Sequence, residues 1–121
     1  MLVLVDTSSI IYGLEHSKDV FEIANGRFPS HEILISRGVI AELSGLSNSN
    51  AKKAQLAKTA LRIIKLKRIR VDNIKGSADD WILGKAVAEP SIVITNDTPL
   101  YKKLKSHKVD VFKLSKDGIL K

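Results

Sequence analysis

The chain has 121 residues, 44% of them apolar, with 3 prolines and no cysteine, which fits one domain spanning residues 1–121 with a conventional core and excludes disulfide frameworks, thiolate catalysis and cysteine-based zinc sites. Lys and Arg number 20 against 13 Asp and Glu, a formal charge of +7, and this balance favours a polyanionic partner. The first apolar run, Leu2 to Val5, is too short for a signal peptide and no stretch is apolar enough to span a bilayer, so a cytoplasmic protein without membrane contact is expected.

In chain order, a first strand is predicted at Leu2–Val5, ending in Asp6, with a helix beginning near Ser8. A second strand follows at Ile33–Ser36, and the helix that leaves it carries Glu42 on one face with Val39 and Leu46. The stretch from Ser44 to Asn50 reads as the most flexible loop, with Asn48, Ser49 and Asn50 as cap and turn residues for a helix at Ala51–Leu66. In that helix Ala54, Ala57, Leu61 and Ile64 form an apolar stripe, and basic residues take the other faces. Between Glu42 and Asp72 there is no acid at all, while Lys52, Lys53, Lys58, Arg62, Lys65, Lys67, Arg68 and Arg70 fall in the interval. Such a one-sign surface suits contact with nucleic acid, although a solvated helix face has the same appearance. The third strand is predicted at Ile69–Asp72. A helix from Ala78 to Ala88 is started by Ser77 and stopped by Pro90. The fourth strand, Ser91–Thr95, runs into Asn96 and Asp97, after which Thr98 caps a short helix with Pro99 in its first turn. A second basic group, Lys102, Lys103, Lys105 and Lys108, precedes the fifth strand at Val109–Leu114. Short continuous apolar strands alternating with helices imply an α/β fold, a three-layer α/β/α sandwich around a parallel sheet.

Asp6 and Asp97 close two strands at their carboxyl ends, the edge where open parallel sheets place ligands. Glu42, Asp79 and Asp80 lie on helices departing from that same edge. Crowded carboxylates repel one another, and a divalent cation with hard oxygen ligands removes the conflict, Mg²⁺ or Mn²⁺ fitting best. Such a cation can activate water and neutralise a leaving phosphate oxygen, so the acids together with the basic surface point to phosphodiester hydrolysis. Each acid also has a plainer role available. Asp6 could cap a helix, Asp97 could serve a turn, and Asp79 and Asp80 suit a helix N-terminus, where Ser77 to Asp80 resembles a capping box. His16, His31 and His107 share no ligand spacing.

Four features together resemble the PIN-domain nuclease family across essentially the whole chain. They are Asp6-Thr7-Ser8 after the first strand, Glu42 in Val39-Ile40-Ala41-Glu42-Leu43, Asp79-Asp80-Trp81-Ile82-Leu83, and Thr95-Asn96-Asp97-Thr98-Pro99-Leu100. The resemblance implies a five-stranded parallel sheet of order 3-2-1-4-5, an acid-lined pocket holding Mg²⁺ or Mn²⁺, and endonucleolytic cleavage of RNA. By the same carry-over Asp6, Glu42, Asp79 or Asp80, and Asp97 are metal-ligand and catalytic positions, with Asp79 read as the ligand and Asp80 as an additional group. Ser8, Thr95 and Asn96 match polar positions that orient acids or contact phosphate, and Lys52, Lys53, Arg62, Lys65 and Arg68 are the expected RNA contacts. Asp-Asp-x-Ile is closer to the branch associated with ribosomal RNA maturation, whereas the toxin branch opens this helix with one Asp. The partners implied are therefore RNA with a ribosome-assembly protein, or RNA with an antitoxin, and a homodimer suits either branch. Trp81 reads as packing rather than as a platform for a base.

Two other α/β families that place an Asp after the first strand fit less well. An aspartyl phosphatase of the haloacid-dehalogenase type needs a second Asp where Ser8 stands, and a response-regulator receiver needs acids adjoining Asp6. A catalytically weak or inactive RNA-binding or ribosome-associated module with the same fold is the alternative from another functional class.

Overall fold

The computed structural model describes residues 1–121. Five strands, β1 (Leu2–Val5), β2 (Glu32–Ser36), β3 (Arg70–Asp72), β4 (Ser91–Ile94) and β5 (Asp110–Phe112), alternate with six helices. The helices are α1 (Thr7–Glu15), α2 (Val20–Arg27), α3 (Arg37–Ser47), α4 (Ala54–Leu66), α5 (Ala78–Ala88) and α6 (Thr98–Ser106). All strand pairs are parallel, in the order β3-β2-β1-β4-β5. The chain thus builds outward from β1 in one direction and then returns to build outward on its other side, which leaves a crevice between β1 and β4 at their carboxyl ends.

Strand alternation sorts the apolar side chains into two layers. Val3, Val5, Ile33, Ile35, Ile92 and Ile94 pack with residues of α1 to α4 on one face of the sheet. Leu4, Leu34, Val93 and Val111 pack with Trp81, Ile82, Leu100 and Leu104 of α5 and α6 on the other. Both faces being covered explains why these strands carry no polar alternation. No helix is long and apolar enough to cross a membrane.

Several local expectations need correction. The helix expected from Ala51 begins at Ala54, where Lys53 holds the cap position and makes no side-chain capping bond. Asn48, Ser49 and Asn50 therefore do not cap it; Ser49 instead donates its hydroxyl to Leu46 O at 2.7 Å and accepts Ala51 N at 3.1 Å, closing the end of α3. Ser44 to Ser47 belong to α3, so the connection before α4 is shorter than the loop read from composition. The cap of α6 is Asp97, not Thr98, with Asp97 Oδ1 accepting Leu100 N at 3.0 Å. The fifth strand ends early because Lys113 and Leu114 turn away to pair antiparallel with Leu120 and Lys121. Helix α2 has no strong sequence signature; Asp19 starts it by accepting Phe21 N and Glu22 N.

Candidate active site

Asp6, Glu42, Asp79 and Asp97 line one pocket of about 370 Å³ at the carboxyl edge of the sheet. Each arrives on a different element: Asp6 at the end of β1, Glu42 on α3, Asp79 on α5, Asp97 after β4. The approach of α3 to α5 depends on Gly38. A Cβ there would lie 2.8 Å from Ala78 N and 2.9 Å from Gly76 O. Gly38 precedes Glu42 by one helical turn and Ala78 precedes Asp79, so the absent side chain is what lets these two acids share a pocket.

Asp6 is only 3% exposed. It occupies the position of a helix cap, yet its side chain makes no capping bond. Its Oδ2 instead accepts Ser8 Oγ at 2.5 Å and Thr95 Oγ1 at 2.9 Å, which leaves Oδ1 without a protein partner. Thr95 Oγ1 in turn accepts Asp97 N at 3.1 Å, so one buried hydroxyl joins the two strand-end acids. Asp97 divides its carboxylate between roles, Oδ1 capping α6 while Oδ2 makes no protein hydrogen bond.

Glu42 and Asp79 stand at the mouth of the pocket and reach water. Partial burial, followed by the Asp6 carboxylate, pushes the Glu42 pKa above its ordinary value; Asp79 and Asp97 add to the rise and the Thr7 hydroxyl opposes it. That hydroxyl faces Glu42 from outside ordinary hydrogen-bond geometry and has no other partner. Asp79 is raised by partial burial, then by Asp6, Asp97 and Asp80, with Lys103 opposing. These rises record burial first and mutual repulsion second, and a cation among the acids would relieve the repulsion. The donors are all oxygen, as Mg²⁺ and Mn²⁺ prefer. As the side chains lie, no three acidic or imidazole groups converge closely enough to hold an ion, so the set surrounds a pocket without closing on a point.

The other expected residues separate by role. Asp80 is exposed and lines a different groove, with Ile74, Lys75, Gly76, Trp81, Lys85 and Glu89, so Asp79 alone of the pair faces the four-acid pocket. Ser77 Oγ accepts Asp80 N at 3.2 Å, giving one half of a capping box. Thr95 is fully buried, which places it to orient Asp6 rather than to touch a phosphate. Ser8 is placed likewise, its Oγ donating to Asp6 and accepting Asn96 N at 2.9 Å. The Asn96 side chain is occupied on every side: Oδ1 accepts Ser9 Oγ at 2.7 Å and Leu114 N at 3.1 Å, and Nδ2 donates to Leu114 O at 2.9 Å. It ties the end of β4 to α1 and to the C-terminal hairpin. Trp81 is packed in the core as expected, its indole N–H donating to Asp72 Oδ2 at 3.0 Å.

Of the basic residues, Lys53 lines the pocket and pairs with Glu15 at 3.4 Å. Lys52, Arg62, Lys65 and Arg68 are exposed and in no ion pair, whereas Lys67 is paired with Asp19 and Arg70 with Glu32. Of the remaining pocket residues, Thr7 and Leu46 were noted in the sequence only as neighbours of Asp6 and Glu42, and Ile11, Tyr12 and Glu15 were not foreseen. With Ser8 they follow helical spacing on one face of α1, a signal present in the sequence once the strand-end Asp6 is taken as the centre.

The pattern of the family described as PIN like domain matches residues 3–117. Among solved structures, that of the PIN domain endonuclease Utp24 superposes with a TM-score of 0.71 at 25% identity, covering 94% of this chain and 85% of the other. A domain of a functionally unknown protein from Methanocaldococcus jannaschii gives 0.69 at 22% identity over 94% and 91% of the two chains. VapBC2 from Rickettsia felis, solved with a DNA fragment from its promoter, gives 0.63 at 23% identity over 93% and 98%. No curated protein matches by sequence. The sheet order, the six helices and the matched span agree with the fold of the PIN-domain nucleases. The chain belongs to the PIN-like domain family.

Proposed function

We propose that this chain is an endoribonuclease that hydrolyses RNA phosphodiester bonds with the help of Mg²⁺ or Mn²⁺. The observation that carries the reading is the gathering of Asp6, Glu42, Asp79 and Asp97 around one pocket that Lys53 also lines. Asp6 and Asp97 each offer one carboxylate oxygen that no protein group engages, and these two with Glu42 and Asp79 would hold the cation. When bound, it supplies an activated water and neutralises charge on the phosphate. Ser8 and Thr95 fix the Asp6 carboxylate. Lys53 at the pocket, with Lys52, Arg62, Lys65 and Arg68 on and near α4, draws in a phosphate backbone that the acids alone would repel. Asp80 acts from outside the pocket, through its charge on Asp79. The cytoplasm is the setting and RNA the macromolecular partner in this reading. An antitoxin, a ribosome-assembly protein and a second copy of the chain are the protein partners to seek by co-purification.

The test is cleavage of structured and single-stranded RNAs with and without Mn²⁺, comparing the natural chain with Asp6→Asn. Cleavage that requires both the cation and Asp6 is expected; equal cleavage by the two proteins would refute the reading. If calorimetry detects no cation binding dependent on Asp6 and Asp97, the chain is instead an RNA-binding module that does not cut.

A further inference from the structure

The acid pocket is also lined by apolar groups that a cation and a phosphate do not use, Tyr12 of α1 and Leu46 of α3, with the largely buried Ile11 beneath them. Tyr12 is only partly buried, and its hydroxyl makes no hydrogen bond in the structure. Its ring is backed by the His16 imidazole, with centroids 4.5 Å apart, and His16 Nδ1 lies 2.9 Å from the Tyr12 carbonyl oxygen. An aromatic ring braced from behind and lining a pocket gives a flat apolar group a surface to stack on at little ordering cost. The Lys53–Glu15 pair lines the same pocket and offers a donor and an acceptor to the edge of such a group. Trp81, the aromatic residue that lies in the acidic motif itself, is buried in the core and engaged to Asp72, so Tyr12 is the aromatic side chain that lines this pocket.

A flat apolar body joined to a phosphate is a nucleotide. We propose that Tyr12, with Ile11 and Leu46, forms a subsite for an unpaired nucleobase, that of the nucleotide adjoining the phosphate at the carboxylates. This rests on the nucleolytic reading for the identity of the anion and deepens it. A base within a duplex is stacked between its neighbours and cannot lie on a side chain in a pocket, so a duplex is the control that cannot use the subsite.

The test is made with Asp6→Asn, so that the strand is not cut. A short single-stranded RNA carrying 2-aminopurine is titrated with this protein and with its Tyr12→Phe and Tyr12→Ala derivatives, and the same RNA is titrated as a duplex. Stacking quenches the fluorescence in the single strand. Phe keeps the quench and the affinity, Ala loses the quench and weakens binding roughly 5- to 100-fold, and the duplex binds all three proteins alike. Equal affinity for Ala and Tyr overturns the proposal, as does Phe failing as badly as Ala, which would assign the contact to the hydroxyl. Should Tyr12→Ala fail to fold, a scan of single abasic sites along the RNA, read against the protein with Tyr12 intact, decides: one position must lose affinity, and a flat scan overturns the subsite. A protein that binds in the expected pattern but never cuts refutes the nuclease reading alone. One that cuts RNA with a flat abasic scan refutes the subsite alone.

Discussion

Replacing Gly38 by alanine sets two effects of opposite sign against each other. Gly38 lies in the first turn of α3, where helix propensity favours alanine by up to about 1 kcal/mol. The tertiary surroundings oppose this, because the new Cβ would stand 2.8 Å from Ala78 N and 2.9 Å from Gly76 O, both backbone atoms that cannot swing aside. Set against an ordinary contact of about 3.5 Å, α3 and the start of α5 must part by roughly 0.7 Å. Overpacking of this kind costs about 1–3 kcal/mol, and rigid backbone on the far side places the cost toward the upper end. A net destabilisation of about 1–2 kcal/mol is expected in urea unfolding. Gly45→Ala in the same helix is the control: its Cβ meets nothing within 4 Å, so the propensity gain of about 0.5–1 kcal/mol stands alone and the midpoint rises. Parting α3 from α5 also draws Glu42 from Asp79, so cation affinity measured by calorimetry falls for Gly38→Ala and not for Gly45→Ala. If the two variants were equally stabilised, the close approach would not be what seats these acids together.

Glu42 and Asp79 both have raised pKa values in the fold, so the native protein keeps protons that the unfolded chain has released. Their contribution to stability without a cation is therefore greatest below the ordinary carboxylate values and declines as pH climbs through the raised ones. Both side chains reach water, which limits the effect to a few tenths of a kcal/mol, about the size of a screened surface interaction. Glu42→Gln flattens this decline in thermal unfolding across pH, and Mn²⁺ then stabilises the natural chain more than the variant; superimposable pH profiles would contradict the assignment of repulsion. Asp79→Asn lowers cation affinity while Asp80→Asn changes it little, because only the first faces the four-acid pocket; equal losses in calorimetry would put both in the site. Thr95→Val removes the hydroxyl that holds Asp6 Oδ2 and is expected to reduce cation affinity or cleavage roughly 10- to 100-fold, as loss of a partner to a ligand does; unchanged affinity would show that Ser8 alone suffices.

The central strands β1, β2 and β4 were legible because each is a short apolar run buried on both faces, a pattern that needs no knowledge of its neighbours. Asp6 and Asp97 were legible for a related reason: a charge that ends such a run falls at the sheet edge whichever way the helices pack. Which acid of the pair at 79 and 80 faces inward depends on how α5 is rotated against the sheet. That rotation is set by the burial of Trp81 and Ile82 and by the indole bond to Asp72, none of which local pattern can order. Asp97 as the true cap of α6 was obscured by Thr98, an equally good capping residue one position on. Gly38 reads in sequence as a mild defect in a helix, since its use lies in a backbone segment 38–40 positions away. Asn96 likewise looks like a turn residue until Leu114 folds back to meet it.

The clamp at Asn96 has a consequence for when the carboxylates come together during synthesis. The acids lie at positions 6, 42, 79 and 97, and the bonds that seat the end of β4 reach forward to Leu114. A chain emerging from the ribosome holds three of the four acids for some time before the last is locked. The end of β4, which pairs with β1 and leads into Asp97, is tied down only when the segment bearing Leu114 has been made, so Asp97 is the last of the four to be fixed. On the proposed reading, a nascent chain would not cut the RNA around it until the segment bearing Leu114 has been made.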